Sequence, residues 1–508
     1  MTRVPTGAAI VALTLAGFVL FPGHTYLQQD TQIYTAILEH LWNPAVLQND
    51  ILVQSPHVSF TLYDELAIGL RKLTGAGFEG ILLSLQLVFR ALGLWGIYLI
   101  ALAAGLSRAP AMLVTAIWSL GATIIGPSVL AVEYEPSPRG FAVPLLFLAV
   151  GLTAHRRPVW ASAAASAAFL LHPPTTYPFW LVFLAMLFVQ RKFLSLIPAA
   201  CAAVIMMLAA HYQAGVHEQQ HFFERIGPEL ERLQRMRASY NWVSLWWRDY
   251  FLQYVALFAA ILLAWWRMKI DNLELRWFVL GMAIIGLLSV PVSYLLLEQM
   301  KWALMPQLQP ARALLFVSGF AMLMAAIAGC AATGLAERFC WFALAYFLPA
   351  EGAVLAVAIL AAGASLALWL DRRALAIAVV AIGAMAVIPD VGRVQNYPHL
   401  RTPELAQLST WARESTAADA VFAFPTFGHR LEPGIFRAQA LRAVYVDWKG
   451  GGQVNYLPAL GEQWWTRWQQ RDNAHAAGID YFILTPDKRL PHQTPLFANS
   501  SFLVYPCR

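Results

Sequence analysis

The chain has 508 residues, 59% hydrophobic and only 13% charged, with a formal net charge of +6. Soluble domains carry roughly 25% charged residues; a mean hydropathy of +0.55 and repeated apolar runs of about 20 residues exclude a soluble enzyme and indicate a polytopic membrane protein. The basic balance then reads as a topology signal, so no nucleic-acid partner is expected.

The start, "MTRVPTGAAIVALTLAGFVLF", has a basic residue and an apolar core. The following "FPGHTY" offers no A-x-A cleavage site, so this run reads as a retained first span. Further spans are expected near 79–104, 110–126, 139–154, 158–172, 175–189, 193–211, 249–266, 277–297, 312–333, 337–349, 352–370 and 374–389. With the first, near 8–22, that makes about 13 transmembrane helices. The pair around "LPAEG" also reads as one bent or re-entrant element. Cys201, Cys330 and Cys340 lie in or beside apolar runs and Cys507 stands alone, so no disulfide framework or zinc spacing is present.

With a cytoplasmic N-terminus, alternate loops carry Arg3, Arg108, Arg156, Arg157, Arg191, Lys192, Arg267, Lys269, Arg276, Arg338, Arg372 and Arg373. The short loops between them are nearly free of Lys and Arg, with Lys301, Arg139 and Arg312 as exceptions. This asymmetry places segments 23–78, 127–138, 212–248 and 390–508 together on the outer face. The location expected is a bacterial inner membrane, with the C-terminal segment periplasmic or extracellular.

The chain thus divides into a transmembrane domain, 1–389, and an external domain, 390–508. Within the first outer loop, "TQIYTAILEHLW" places Ile33, Ile37 and Leu41 on one stripe. "SFTLYDELAIGLRKL" repeats the spacing with Phe60, Tyr63, Leu66, Ala67 and Leu70. Both read as interfacial amphipathic helices, punctuated by Asn43-Pro44 and Ser55-Pro56. "HFFERIGPELERLQRMRASYNW" turns apolar residues one way and Arg225, Arg232 and Arg235 the other. In the last segment "PELAQLSTWARES" is helical, while "AVFAF", "AVYVD", "DYFIL" and "FLVY" read as short buried strands. The expected fold is therefore an all-α polytopic membrane domain with a small C-terminal α/β domain outside it.

Ionisable groups beside the hydrocarbon are costly and tend to be functional. Asp30, in "QQDTQ", reads as the N-cap of the helix starting at Thr31 or as a general base toward an acceptor hydroxyl or amide; the two roles are compatible. Asp50 and the Asp64–Glu65 pair are less well placed. Glu133 and Glu135, in "VEYEPSPRG", project to one side of an extended stretch. They suit a divalent cation, Mg or Mn, or an ion pair with Arg139. His172, in "LLHPPTTYP", reads as a capping residue or as a shuttle or phosphate contact. Lys301 and Arg312 read as snorkelling cations or as a clamp for phosphate oxygens. Arg437, Arg442, Asp447 and Lys449 surround a strand end followed by Gly450 to Gly452, which permits close backbone approach to a ligand. The Trp464, Trp465 and Trp468 helix reads as a docking face or as aromatic core.

A first span leading to an outer loop with an early acid and interfacial helices, an acidic second loop and an external α/β domain resembles the GT-C superfamily. That superfamily of membrane glycosyltransferases includes oligosaccharyltransferase catalytic subunits, protein O-mannosyltransferases and aminoarabinose transferases. The pattern "WARES…VFAFP…FRAQALRAVYVDWKGG…GIDYFIL" looks like the external domain of uncharacterised bacterial members. The resemblance implies a catalytic Asp30. It also implies a lipid-linked sugar donor bound through its phosphate near Arg139, Lys301 or Arg312, with His172, Asp447 and Lys449 as further substrate contacts. The acceptor, a glycan, lipid or protein, is left open, and membrane lipids are the other partners. E-x-E stands where family members carry D-x-D or E-x-D, so metal use is open. "QWWTRW" lacks the aspartate of a W-W-D acceptor motif, which argues against N-glycan transfer to protein. The rival readings are a transporter or flippase of lipid-linked sugars and a non-catalytic assembly subunit. Nearly uncharged span centres and the absence of a repeat favour a transferase over a transporter.

Overall fold

The computed structural model describes residues 5–54, 61–212, 223–370, 373–472 and 478–507. Arg3, Ser55-Pro56, Phe60, His221, Phe222 and Arg372, with the side chain of Arg373, lie outside the described residues.

The first span is α1 (Thr6–Val19). The outer loop after it folds into α2 (Thr31–Trp42), α3 (Ile51–Gln54) and α4 (Tyr63–Thr74). Next come α5 (Phe78–Ala103) and α6 (Arg108–Ser119). The third span is shorter than expected. Gly121 at φ +72° stops α6, and a small hairpin, β1 (Thr123–Ile124) with β2 (Val129–Leu130), takes over.

The bundle continues through α7 (Pro138–Ala154), α8 (Pro158–Leu171), α9 (Pro173–Gln190) and α10 (Ile197–Tyr212). The interfacial α11 (Pro228–Arg237) precedes α12 (Trp247–Met268) and α13 (Leu273–Ser293), which ends in a π-helical turn, Tyr294–Gln299. A short α14 (Met305–Leu308) leads into α15 (Leu314–Ala331). The region around Leu348 to Gly352 is not one bent element: α16 (Leu335–Phe347) and α17 (Val354–Trp369) are separate helices that pack on each other. α18 (Arg373–Asp390) closes the bundle.

Among the described residues, five helical stretches are long and apolar enough to cross a membrane: Phe78–Ala103, Phe193–Tyr212, Trp247–Met268, Leu273–Gln299 and Met305–Ala331. α15 is the hub, buried from Leu314 to Gly329. Helices α5 and α7 approach closely because Gly96 and Gly151 face each other; a Cβ on Gly151 would stand 2.7 Å from the Gly96 carbonyl. By contrast α10 and α12 expose Met207, Ile197, Leu252 and Trp266, as helices facing acyl chains do.

The basic loops meet at one end of the bundle. Arg267 bonds Glu337 at 2.7 Å, Arg156 lies 3.7 Å from Glu274, and Asn272 donates to the Ala154 carbonyl at 2.9 Å. The loops expected on the outer face meet at the other end, where α2 packs on α20 (Glu432–Ala440) and α11 packs on α21 (Pro458–Gln470). α19 (Pro403–Ser415) also packs on α20. The C-terminal strands are β3 (Val421–Ala423), β4 (Ala443–Val444), β5 (Tyr481–Leu484), β6 (Phe497–Ala498) and β7 (Leu503–Pro506). They form one mixed sheet in the order β4-β3-β5-β7-β6, with β3 parallel to β4 and β5 and the rest antiparallel. The fold class is thus a polytopic helical membrane protein with a small C-terminal α/β unit. Ile51 of the first outer loop packs into the core of that unit with Val421, Tyr445 and Trp464.

Candidate active site

A cavity of about 430 Å³ lies where the bundle meets the C-terminal unit. The N-terminus of α2, the loop before α7, the α8–α9 junction, the turn before α15, the end of α11 and the 3-10 helix Lys449–Asn455 all contribute to its wall.

Local sequence explains how these side chains arrive. Ser137 caps α7 by accepting from the Gly140 amide at 3.3 Å, with Pro138 in the first helical position. Arg139 therefore leaves the first turn of α7 beside Glu133, which it binds at 2.6 Å. His172 sits between α8 and α9, with Nδ1 2.8 Å from Thr175 Oγ1. Arg312 follows Pro310, one turn before α15, and its guanidinium lies 4.5 Å from the Tyr240 ring centroid.

Asp30 stands in the N-cap position of α2, yet its side chain makes no capping bond. The Gln32 and Ile33 amides that such a cap would serve bond to the Gln29 and Asp30 carbonyls, and Glu135 takes the amides on either side of Asp30. Its Oε1 accepts from the Gln28 and Gln29 N–H groups, both at 2.7 Å, and its Oε2 accepts from Thr31 N–H at 3.0 Å. The Asp30 carboxylate is left facing the cavity, with its side chain 42% exposed, and pairs with Lys449 Nζ at 2.7 Å. Burial works to raise the Asp30 pKa, but Lys449 and Arg139 hold it well below the usual carboxylate range. It is an anion at neutral pH. Burial pushes the phenols of Tyr34 and Tyr456 up, so both stay protonated there.

The charges are unevenly matched. Glu133 has Arg139, Asp30 has Lys449, and Glu135 has three amides. The Arg312 guanidinium has no hydrogen bond or ion pair among the described residues, and its Nε is buried without a partner. Arg237, overlooked in the sequence, also lines the cavity. It spends one N–H on the Trp448 carbonyl at 2.6 Å and stacks on that ring, 4.1 Å from its centroid. The cavity thus holds cationic donors free for an anionic ligand.

The pair Glu133 and Glu135 does not fit a divalent cation. Three amide hydrogens point at Glu135, and a guanidinium sits on Glu133 Oε1; Glu133 Oε2 is the one oxygen left over, too few for the roughly six oxygen ligands of a hard dication. No group of three His, Cys, Asp or Glu side chains suited to a metal occurs among the described residues.

Two of the sequence-named residues lie elsewhere. Lys301 pairs with Glu231 at 2.6 Å, in a cluster with Arg235 and Glu298 that fastens α11 to the π-turn; it does not line the cavity. Asp447 is buried, held by Arg437 at 2.5 Å, while Asp50 takes the same guanidinium at 2.6 Å. Span centres are also less free of charge than their hydropathy implies. Arg90 lies mid-way along α5, and its Nη2 donates to the Gly23 and Glu133 carbonyls at 2.8 and 2.5 Å. Among the cavity residues missed, Tyr240, Gln453 and Tyr456 carry no motif; they reach the site only through the packing of α11 and the C-terminal unit.

What fold and site together define is a helical membrane protein with a polar, cation-rich cavity roofed by an α/β unit. Comparison with known proteins adds three findings. Residues 403–471 match the model of a domain of unknown function, DUF6798; they run from α19 to just past α21 and include Lys449. No curated protein matches the chain. Among solved structures, the chain is similar to the crystal structure of ArnT from Cupriavidus metallidurans in the apo state, at 14% identity and a TM-score of 0.45, over 98% of this chain and 97% of that one.

Proposed function

We propose that this protein is a GT-C-type membrane glycosyltransferase. It would move a sugar from a polyprenyl-phosphate-type donor to an acceptor at the outer face of the membrane. The observation that carries the reading is an ionised Asp30 sharing one cavity with the unpaired Arg312. The sequence resemblance described above points the same way.

In this mechanism the donor phosphate lies against Arg312 and Arg139. The acceptor hydroxyl or amine approaches Asp30, which orients it and takes its proton as the bond to the anomeric carbon forms. The bond from that carbon to the phosphate oxygen breaks, and its electron pair leaves with the lipid phosphate. The arginines stabilise the charge developing there. Lys449 binds Asp30 in the empty site and moves to phosphate or acceptor oxygens when substrate enters. No step is routed through a metal ion.

The test is turnover by the purified protein in nanodiscs, offered a panel of radiolabelled polyprenyl-phosphate sugars. Wild type should release or transfer sugar, and Asp30→Asn should be slower by about 10²–10⁴-fold. Full activity in Asp30→Asn would sink the mechanism. Donor translocation without bond cleavage would favour a flippase.

A further inference from the structure

Four features compete for explanation outside the mechanism above: the Asp50–Arg437–Asp447 triad, the Lys301 cluster, Arg90 and the Glu133–Glu135 pair. The first two hold elements together and line no part of the cavity. Arg90 supports the loop through the Glu133 carbonyl. Only Glu135 acts directly on the turn that carries the reactive carboxylate.

We infer that Glu135 is the positioning residue of this site: a carboxyl from the second outer loop that holds the backbone on both sides of Asp30, so that the Asp30 side chain is set toward the cavity. This rests on the proposed transferase reading and deepens it.

The argument starts from the open end of a helix. The first amides of any helix lack intrahelical acceptors, and an aspartate at the N-cap normally bends back to satisfy them. An aspartate so engaged is turned toward its own backbone and away from a substrate. Here the Gln32 and Ile33 amides bond to the Gln29 and Asp30 carbonyls, at 3.4 and 2.9 Å, which leaves the Asp30 side chain unused, and the amides around them are held from outside. Both oxygens of Glu135 are spent on the amides of Gln28, Gln29 and Thr31, bracketing Asp30 on both sides. The Glu135 side chain is buried, and residue 135 is only 2% exposed, so water does not compete for these bonds. Further bonds fix the same turn: Thr31 Oγ1 accepts from Leu27 N–H at 2.7 Å, and Gln32 Nε2 donates to the Leu27 carbonyl at 2.8 Å. The loop bearing Glu135 is itself fastened. Tyr63 OH donates to the Pro136 carbonyl at 2.7 Å, and Arg90 and Gln86 donate to the Glu133 carbonyl. Asp30 therefore stands on a frame built from three separate parts of the chain.

The same geometry assigns different work to the two glutamates. Glu135 orders backbone, and Glu133 orders Arg139. The E-x-E spacing, which suits a cation on paper, here places one carboxylate on amides and the other on a guanidinium. Phosphate charge is then met by arginine rather than by a bound dication.

The experiment compares wild type, Glu135→Gln, Glu135→Asp and Asp30→Asn in nanodiscs. It reads steady-state turnover with and without chelator and added Mg or Mn, and amide hydrogen exchange over residues 27–33. In Glu135→Gln one oxygen becomes an NH2 group, which confronts an amide donor with another donor. Expected is a fall in kcat of about 100-fold, as for a misplaced reactive group, with the donor KM within twofold. Glu135→Asp, which keeps the charge, should recover part of the loss. Exchange at residues 27–33 should rise in Glu135→Gln and stay as in wild type in Asp30→Asn. Wild-type turnover should change less than twofold on chelation. Unchanged kcat or unchanged exchange in Glu135→Gln would overturn the proposal. So would metal-dependent turnover whose metal affinity is weakened by that substitution. If wild type turns over no donor, the transferase reading fails by itself, and the exchange comparison still decides whether Glu135 holds the turn.

Discussion

Two ionic clusters built from the same residue types stand close together and teach opposite lessons. In the first, Arg437 lies between Asp50 and Asp447, with side chains 2%, 0% and 3% exposed. The remaining carboxylate capacity goes to backbone: Asp50 accepts from Leu52 and Val444 N–H, and Asp447 from Gly450 N–H. In the second, Asp30, Lys449, Arg139 and Arg312 face a cavity, and the Arg312 guanidinium has neither a hydrogen bond nor an ion pair among the described residues. Asp447 and Lys449 are two residues apart, yet one belongs to each cluster. A cluster closed on all sides but the buried Arg437 Nη1 holds the first outer loop to the C-terminal unit. An open one leaves donors for a ligand.

The sharpest way to break this comparison is Arg437→Met. Removing the shared guanidinium leaves two carboxylates buried without a counter-charge, which costs about 3–5 kcal/mol. Thermal unfolding in detergent should show a large drop, with loss of monodisperse protein. A variant as stable as wild type would mean that the triad does not lock the two parts together.

Arg312→Gln should behave in the opposite way. Stability should hold, since the guanidinium makes no hydrogen bond or ion pair among the described residues and loses only its contact with the Tyr240 ring. The donor KM should rise about 10–100-fold, the worth of a charged hydrogen bond. A raised KM with unaltered melting supports the open cluster, whereas a lowered melting temperature with normal KM would make Arg312 structural.

The smallest effect is expected from Lys301→Met. Its pair with Glu231 is partly exposed, at 28% and 21%, and such pairs contribute about 0–1 kcal/mol. Turnover should match wild type. A rise in donor KM would return Lys301 to the phosphate site.

The periodicity of apolar residues locates the bundle helices among the described residues, though not whether the LPAEG pair is one element or where α6 ends, because burial in lipid demands long apolar runs with internally satisfied backbones. It also located the helix from Pro403 and the strands around Val421, Ala443, Tyr481 and Leu503. Charge asymmetry grouped the loops that line the cavity, since topology follows basic residues in short loops. Local pattern and the family resemblance together name Asp30, Glu133, Glu135, Arg139, His172, Arg312 and Lys449, which line the cavity, and Lys301 and Asp447, which do not. They could not say what each carboxylate does. The turn that carries Asp30 is held by Glu135, more than 100 residues away in sequence, and Asp447 is consumed by an arginine that also holds Asp50. A hydrogen-bond acceptor is spent or free according to which donors the folded chain brings to it. That pairing is long-range, and only the tertiary structure decides it.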